Sequence, residues 1–420
     1  MGNWIRERGA FAQGWRFSGA AVALMLISCG GRAHSRNGAS GESGEGSNTG
    51  GASATERDPC QRLNNPPLEA RLRQQLLLGS EAPIDSARLA TVEGLEVHGL
   101  QTLAGLQCLP NLQGLTLVDS STTDLSPIAG LARLAELDIR HSVAPSLEAL
   151  GDVARTLQNL EISDSGFTDL SSLAEMSSLV RLKLNGNGLE TLQGLPALAH
   201  LEWLYLDNNA LSDLAPLLNE PALLFLTVNG NQLESLSSLN GHRTMWSVEA
   251  GKNGLRTLAD LKQPALHVLD VHSNQLGAVG SMAGLSLMRL TLDDNAIADL
   301  SPLSNQQALE ELTLDHNPLA TLNPLSALIN LKKLSLQSTA VTDLTPLATL
   351  PNVAMLLLRD TPITDLTPLQ PWSGIDGNCR QIDVIGLTLD QQSLTSVAPA
   401  LCQAHWAVAQ VCSGKCIGAI

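Results

Sequence analysis

Between Leu112 and Ile375 one apolar pattern returns about every 22 residues, which restricts the chain to architectures made of stacked, equivalent coils. Most copies can be written LxxLxLxxNxLxxLxxLxxLxx. Their first apolar positions are Leu112, Leu134, Leu157, Leu179, Leu201, Leu223, Met245, Leu266, Leu287, Leu309, Leu331 and Val353, twelve units in all. The spacing departs from 22 in one 23-residue copy after Leu134 and two 21-residue copies after Met245 and Leu266. These changes fall in the second half of the unit, so the first half keeps its strand register.

One unit shows why the pattern folds as it does. In Leu201–Leu206 the alternation of a short strand sends Leu204 and Leu206 to one face, and Trp203, Tyr205 and Asp207 to the other. The leucines are expected to form a core. Asn209 follows, and a carboxamide at that point can bond backbone groups of neighbouring coils that would otherwise be buried without partners. The same position reads Ser120, Ser142 and Ser165, then Asn187, Asn209, Asn231, Asn253, Asn274, Asn295 and Asn317, then Thr339 and Thr361. The middle seven units therefore carry the full amide, and the ends should be less tightly specified. In the second half of the unit, Pro216 and its equivalents favour short 3₁₀ or irregular segments.

A period of this length with this consensus resembles the leucine-rich-repeat family. The Asp-Leu-x-Pro-Leu half is similar to the bacterial internalin-like subclass, and it recurs at Asp124–Leu125, Asp213–Leu214, Asp299–Leu300, Asp343–Leu344 and Asp365–Leu366. The resemblance covers roughly two thirds of the chain. It implies an α/β solenoid: a curved parallel sheet on the concave face, 3₁₀ or irregular convex segments, and covered ends. With strands about 4.8 Å apart, twelve units extend on the order of 60 Å. A fold of this kind says little about function.

The organisation expected along the chain has five parts. Residues 1–28 read as a lipoprotein signal peptide: Arg6, Arg8 and Arg16 precede an apolar run from Phe17 to Ile27, which ends in Leu26-Ile-Ser-Cys29-Gly. This resembles a lipobox, which implies diacylglycerol on the Cys29 thiol. The run is too short for the usual membrane span of about 20 apolar residues. Gly30 after the cysteine implies, by the Gram-negative sorting pattern, the outer membrane. Residues 29–57, rich in Gly, Ser, Asn and Glu, lack apolar clusters and are expected to form a flexible tether of roughly 30 Å reach. Residues 58–111 hold a helical cap, Pro67 to Leu78, and a degenerate first repeat; residues 112–374 hold the twelve repeats. Residues 375–420 form a C-terminal cap with a strand at Ile382–Ile385, a helix from Ser393 to His405 and a last apolar strand from Trp406 to Val411.

Seven cysteines minus Cys29 leave six, an even number suited to an exported, oxidising setting. Cys60 and Cys108 flank the N-terminal cap and have no closer partner, so they are expected to pair. Cys379, Cys402, Cys412 and Cys416 sit together in the C-terminal cap, with three pairings open. The spacing of Cys402 and His405 with Cys412 and Cys416 also suits zinc, but the fourth cysteine and the compartment favour two disulfides.

The formal charge of −16 becomes −18 once residues 1–28, with three Arg and one Glu, are removed. Nucleic acid is excluded as an expected partner, because the phosphate contribution to binding would be repulsive. Aromatic residues make up 3% of the chain, so their placement is informative. Trp203 and Tyr205, then Phe225, then Trp246 fall on three adjacent strands, with Asp207 and Arg289 as a polar rim. A rigid, outward-facing aromatic cluster is what recognition needs, since it offers apolar area with little entropy to lose. His272, Asp293 and Asp315, with Asp270 and His316 close by, are of types that can hold a cation, yet solvated ladder positions explain them more simply. No metal site and no cofactor are therefore expected. The sequence contains no HExxH, P-loop, GxSxG or dinucleotide fingerprint.

These features lead to the expectation of a non-catalytic lipoprotein of the bacterial cell envelope that recognises a protein partner through its concave sheet. A polysaccharide-binding adhesion or envelope-structural role, using the same aromatics against a glycan, is the alternative.

Overall fold

In a computed structural model the described residues are Cys60, 63–375 and 380–408. The signal peptide, Cys29, the tether, Cys379, Cys412 and Cys416 lie outside them. Among the described residues no helix is long and apolar enough to cross a membrane.

Fifteen strands form one sheet in which each pairs in parallel with its sequence neighbours. The first four, β1 (Gly94–His98), β2 (Gly114–Val118), β3 (Glu136–Arg140) and β4 (Asn159–Ser163), have five residues each. The next nine have three: β5 (Arg181–Lys183), β6 (Trp203–Tyr205), β7 (Phe225–Thr227), β8 (Ser247–Glu249), β9 (Val268–Asp270), β10 (Arg289–Thr291), β11 (Glu311–Thr313), β12 (Lys333–Ser335) and β13 (Met355–Leu357). Two more, β14 (Gln381–Asp383) and β15 (Ala407–Val408), extend the sheet at the C-terminal end. The pairing places Leu182, Leu204, Leu226, Val248, Leu269, Leu290 and Leu312 in one continuous row. That row is buried, as the alternation requires. Each such side chain removed from water contributes about 1.5–3 kcal/mol. This is the curved leucine-rich-repeat solenoid the period implied.

The convex side is made of short 3₁₀ turns, several with proline in the first turn, such as Ala215–Asn219 and Ser301–Leu303. The aspartate of the recurring Asp-Leu-x-Pro motif has a defined task there. Asp299 Oδ1 accepts the Ser301 N–H at 2.8 Å, and Asp343 and Asp365 accept from Thr345 and Thr367 in the same way. The Thr345 hydroxyl and then its N–H hold the Asp343 carboxyl below the usual carboxylate range, and the Ser301 N–H and then its hydroxyl do so for Asp299.

Each coil also turns through one left-handed residue just before the Asn ladder. In chain order these are Asp119, His141, Asp164, Gly186, Asn208, Gly230, Lys252, Ser273, Asp294, His316, Ser338 and Asp360, with φ between 49° and 68°. Glycine, asparagine and aspartate tolerate that conformation best, and they fill seven of the twelve positions.

The ends are closed by other means. Helix α1 (Pro66–Gln75) is capped by Asn65, whose side chain accepts the Leu68 N–H, and it buries Leu68 and Leu72 in the core. Cys60 and Cys108 form the expected disulfide. A short helix α2 (Ser86–Leu89) precedes β1. At the other end, Trp372 and Trp406 stack with ring centroids 5.1 Å apart under helix α3 (Ala398–Gln403). Cys402 is disulfide-bonded, to a partner outside the described residues.

Candidate functional site

Positions are counted from the first apolar residue of each coil, so Leu201 is position 1 and Asn209 position 9. Positions 3, 5 and 7 line the concave face. Position 2 is set apart by a bulge that recurs from coil to coil. From Gln113 to Lys332 the carbonyl of each position-2 residue accepts two N–H groups of the next coil, as Leu224 O does from Trp246 and Ser247 at 2.8 and 3.0 Å. Position-2 side chains therefore line the N-terminal edge of the sheet rather than its middle.

This geometry sorts the candidate residues. Trp203 and Phe225 share row 3 and stack face to face, centroids 3.7 Å apart and planes within 9°. The Arg181 guanidinium, one strand earlier in the same row, lies 5.3 Å from the Trp203 ring. Covered on one side by Arg181 and on the other by Phe225, Trp203 is only 5% exposed. The expectation that Trp203 faces solvent is corrected: it lies on the concave face but supports Phe225 rather than offering a face of its own. Tyr205, in row 5, is half-buried. Trp246 belongs to row 2, out of step with Phe225, and its ring stacks on His267 at 3.8 Å. The four aromatics thus do not form one cluster.

Phe225 and Trp246 belong instead to an apolar lane that includes residues overlooked in the sequence. Leu224, Trp246, His267 and Met288 occupy position 2 of four successive coils, and Phe225 and Val268 adjoin them in row 3. Leu224, Phe225, Trp246 and Val268 are half-buried, and Met288 is exposed. Neighbouring coils carry Glu202, Glu310 and Lys332 at position 2, so the run of apolar residues there was a readable signal had the bulge been anticipated.

Asp207 and Arg289 behave differently from a simple rim. Arg289 is exposed and paired with Glu311 at 2.8 Å. Asp207 is half-buried, and its oxygens accept the Asn229 N–H at 2.8 Å and the Thr227 hydroxyl at 2.9 Å. It is one member of a second ladder. The Asn185 side chain accepts the Asp207 N–H, Asn229 accepts from Gly251, Asp293 from Asp315, and Asp315 from Gln337, all at 2.7–2.9 Å. Side-chain oxygens of row 7 thus take N–H groups that a longer strand would pair with backbone carbonyls. The strands shorten from five residues to three where this begins.

At Gly251 the row has no side chain, and the His272 imidazole lies over the gap, where a Cβ would collide with it. Asp270 then supplies the missing acceptor, bonding both the His272 N–H and its Nδ1 at 3.0 and 2.8 Å. His316 pairs with Asp294 instead. Among the described residues no three His, Cys, Asp or Glu side chains converge as a metal site would need.

Rows 5 and 7 from β6 to β12 contain Asp207, Glu249, Asp270, Asp293 and Asp315 and neither Lys nor Arg. Partial burial, then the charges of Asp270 and Asp207, raise the Glu249 carboxyl above its ordinary range, and burial raises Asp293. Towards the N-terminus the face changes character. The buried Asp138 is bonded by Arg140, and Lys183 reaches Glu161 at 2.6 Å. Burial pushes Asp138 up to about 6 against the Arg140 bonds.

No protein-family model matches the chain, and no curated protein matches it by sequence. Solved structures do. An internalin of Listeria monocytogenes is 24% identical with a TM-score of 0.59, over 82% of this chain and 96% of that one. A leucine-rich-repeat protein of Leptospira interrogans is 20% identical with a TM-score of 0.60, over 76% and 90%. Toll, solved in complex with Spätzle from Drosophila, is 17% identical with a TM-score of 0.55, over 71% of this chain and 48% of that one. At such identities the likeness is one of fold, and the fold is the leucine-rich-repeat solenoid.

Proposed function

We propose that this chain is a non-catalytic recognition protein of the bacterial envelope, lipid-anchored through Cys29, whose concave sheet captures a protein partner. The observation that carries the reading is the apolar lane. Leu224, Phe225, Trp246, Val268 and Met288 present partly exposed apolar surface on consecutive coils, backed by a stacked Trp203 that holds Phe225 in place. Contiguous exposed apolar area on a rigid scaffold is characteristic of interaction sites. Toll, of the same fold, was solved with a protein ligand, which is the relevant analogy. The lipobox and the polar segment after it support an anchored, freely orienting domain, and Gly30 supports the outer membrane.

The test uses the full chain with Cys29→Ser, purified without lipid, as bait for proteins from the cell surface. The double variant Phe225→Ala, Trp246→Ala should lose the partner, each anchor being worth about 2 kcal/mol or more, or roughly 30-fold in affinity. Unchanged capture would move the site elsewhere. Capture that survives high salt and is competed by a soluble glycan would favour the polysaccharide alternative. Mass spectrometry of the natural chain should find acyl groups on Cys29, and a free thiol there would remove the anchor from the reading.

A further inference from the structure

The row-7 ladder separates what the fold requires from what it merely permits. The structural task of that row is to present one side-chain oxygen to the N–H of the next coil. Asn185 and Asn229 do this as well as Asp207, Asp293 and Asp315 do, with bonds of 2.7–2.9 Å in every case. The second oxygens of Asp207 and Asp293 also accept the Thr227 and Thr313 hydroxyls and that of Asp315 the Gln337 side-chain amide, but a hydroxyl or a turned amide can accept from an Nδ2 instead, so a neutral amide can fill the row and the three negative charges are not demanded by the ladder. Glu249 and Asp270 add two more in the adjoining row, and no Lys or Arg in rows 5 and 7 of these coils offsets them. Partial burial of Asp207, Asp270, Asp293 and Asp315 makes such charges costly, and like charges on neighbouring strands add to that cost.

The apolar lane runs beside this acidic tract, on the N-terminal side of the same strands. Resting on the reading of the chain as a protein-recognition module, we propose that the concave face takes a cationic polypeptide segment. Its apolar side chains sit on the lane of Leu224, Phe225, Trp246 and Met288, and its Lys or Arg side chains lie over Asp207, Glu249, Asp270, Asp293 and Asp315. Charge complementarity selects this occupant. An acidic or neutral segment meets carboxylates that no Lys or Arg of these rows neutralises, Asp270 alone having an imidazole partner in His272, whereas a basic one relieves their mutual repulsion and is drawn in by the formal charge of −16 on the whole chain. Apolar contact then slows release.

Fluorescence anisotropy with labelled twelve-residue peptides tests this on the full Cys29→Ser chain. The probes alternate Lys with Leu, Glu with Leu, and Lys with Ser. The Lys–Leu peptide should bind, the Glu–Leu peptide should not, and the Lys–Ser peptide should bind at least tenfold more weakly. The triple variant Asp207→Asn, Asp293→Asn, Asp315→Asn keeps an oxygen for each backbone N–H of the ladder, and the Thr227, Thr313 and Gln337 side chains can reorient to accept from the new Nδ2, so its melting temperature should stay within a few degrees of the natural chain. Its affinity for Lys–Leu should drop at least tenfold at low salt, with a shallower salt dependence. Equal binding of the Glu–Leu or Lys–Ser peptide overturns the proposal, as does unaltered affinity in the triple variant. If the triple variant binds normally while Phe225→Ala, Trp246→Ala does not bind, the charge inference fails and the recognition reading stands. If only the charges matter, the apolar lane is misassigned and both fail.

Discussion

The first coils and the middle coils solve the same backbone problem with different side chains. In the first coils Ser142 Oγ accepts the Ser120 N–H and donates to the carbonyl of Arg140, and Ser165 repeats the arrangement. A hydroxyl at this position joins two groups. In the middle coils Asn231 accepts the Leu211 N–H through Oδ1, while its Nδ2 donates to the carbonyls of Leu206, Val228 and Asn229. The amide therefore ties two coils together on both sides of its dipole. Thr339 and Thr361, near the other end, reach only carbonyls of their own coils. Where the ladder is weak the chain has covers, with the disulfide and α1 before β1 and the tryptophan pair beneath α3.

The middle pays for its better ladder with a worse interior. At the position three residues before each new coil, Leu109, Leu131, Leu198, Leu328 and Leu350 fill the core of the flanking coils. The central coils put Glu220, His242, Gln263 and Gln306 there, all buried. Glu220 Oε2 accepts the Leu198 N–H at 2.9 Å and His242 Nε2 meets the Glu220 carbonyl at 2.7 Å, but Glu220 Oε1, Gln263 Oε1 and Gln306 Oε1 have no partner among the described residues. The contrast teaches that stability is distributed differently in the two regions: through side-chain ladders in the middle, through core leucines and covalent closure at the ends.

Four measurements break or sharpen that contrast. The largest effect is expected for Asn231→Ala, which strands buried groups on two coils and should cost about 3–5 kcal/mol in urea unfolding, against about 1 kcal/mol for Ser142→Ala. Similar losses at the two sites would erase the distinction. Replacing Cys60 and Cys108 by Ser should cost about 3 kcal/mol and make the N-terminal coils exchange amide hydrogens ahead of the middle. Protection lost evenly along the chain would mean the disulfide is not what closes that end.

Glu220→Gln should stabilise by about 1–2 kcal/mol at pH 7.5, since burial raises the Glu220 carboxyl above its ordinary value of 4.5. The sign follows from linkage: with a raised folded pKa, the stability Glu220 supports is complete below that ordinary value and is lost as pH rises through the folded one. The advantage of the Gln variant should therefore vanish in acid, and a gain independent of pH would point to packing instead. The smallest effect is assigned to Asp207→Asn, within about 0.5 kcal/mol of the natural chain, because Asn185 and Asn229 already perform its structural task.

The period, the buried leucine row and the Asn ladder were legible because each depends on contacts at a fixed sequence spacing, and the Cys60–Cys108 pair because neither cysteine had a closer partner. The burial of Trp203 was not. Alternation places it correctly on the concave side, but its exposure depends on Arg181 and Phe225, 22 residues away in each direction, closing over its ring. The displacement of Trp246 was missed for another reason: an LxxL spacing contains a bulge, and strict alternation assigns position 2 to no face. Asp207 looked like a rim residue because its type suits solvent, and only the geometry shows it holding the Asn229 N–H.

The ladders also bear on how this molecule ages. Asn185, Asn187, Asn229 and Asn253 are each followed by glycine, the pairing in which a pliable chain most readily loses side-chain ammonia to attack by the next main-chain nitrogen. In the folded protein the nitrogens of Gly186, Gly230 and Gly254 are already bonded to carbonyls of Asp207, Gly251 and Leu233, while that of Gly188 has no partner among the described residues. Folding thus shields three of these four fasteners, and each excursion to an open state risks converting one of them to an acid. At Asn253, whose Nδ2 serves the carbonyls of Val228, Ala250 and Gly251, an acid could no longer donate. Wear in such a solenoid is cumulative and begins at the coils that open most often.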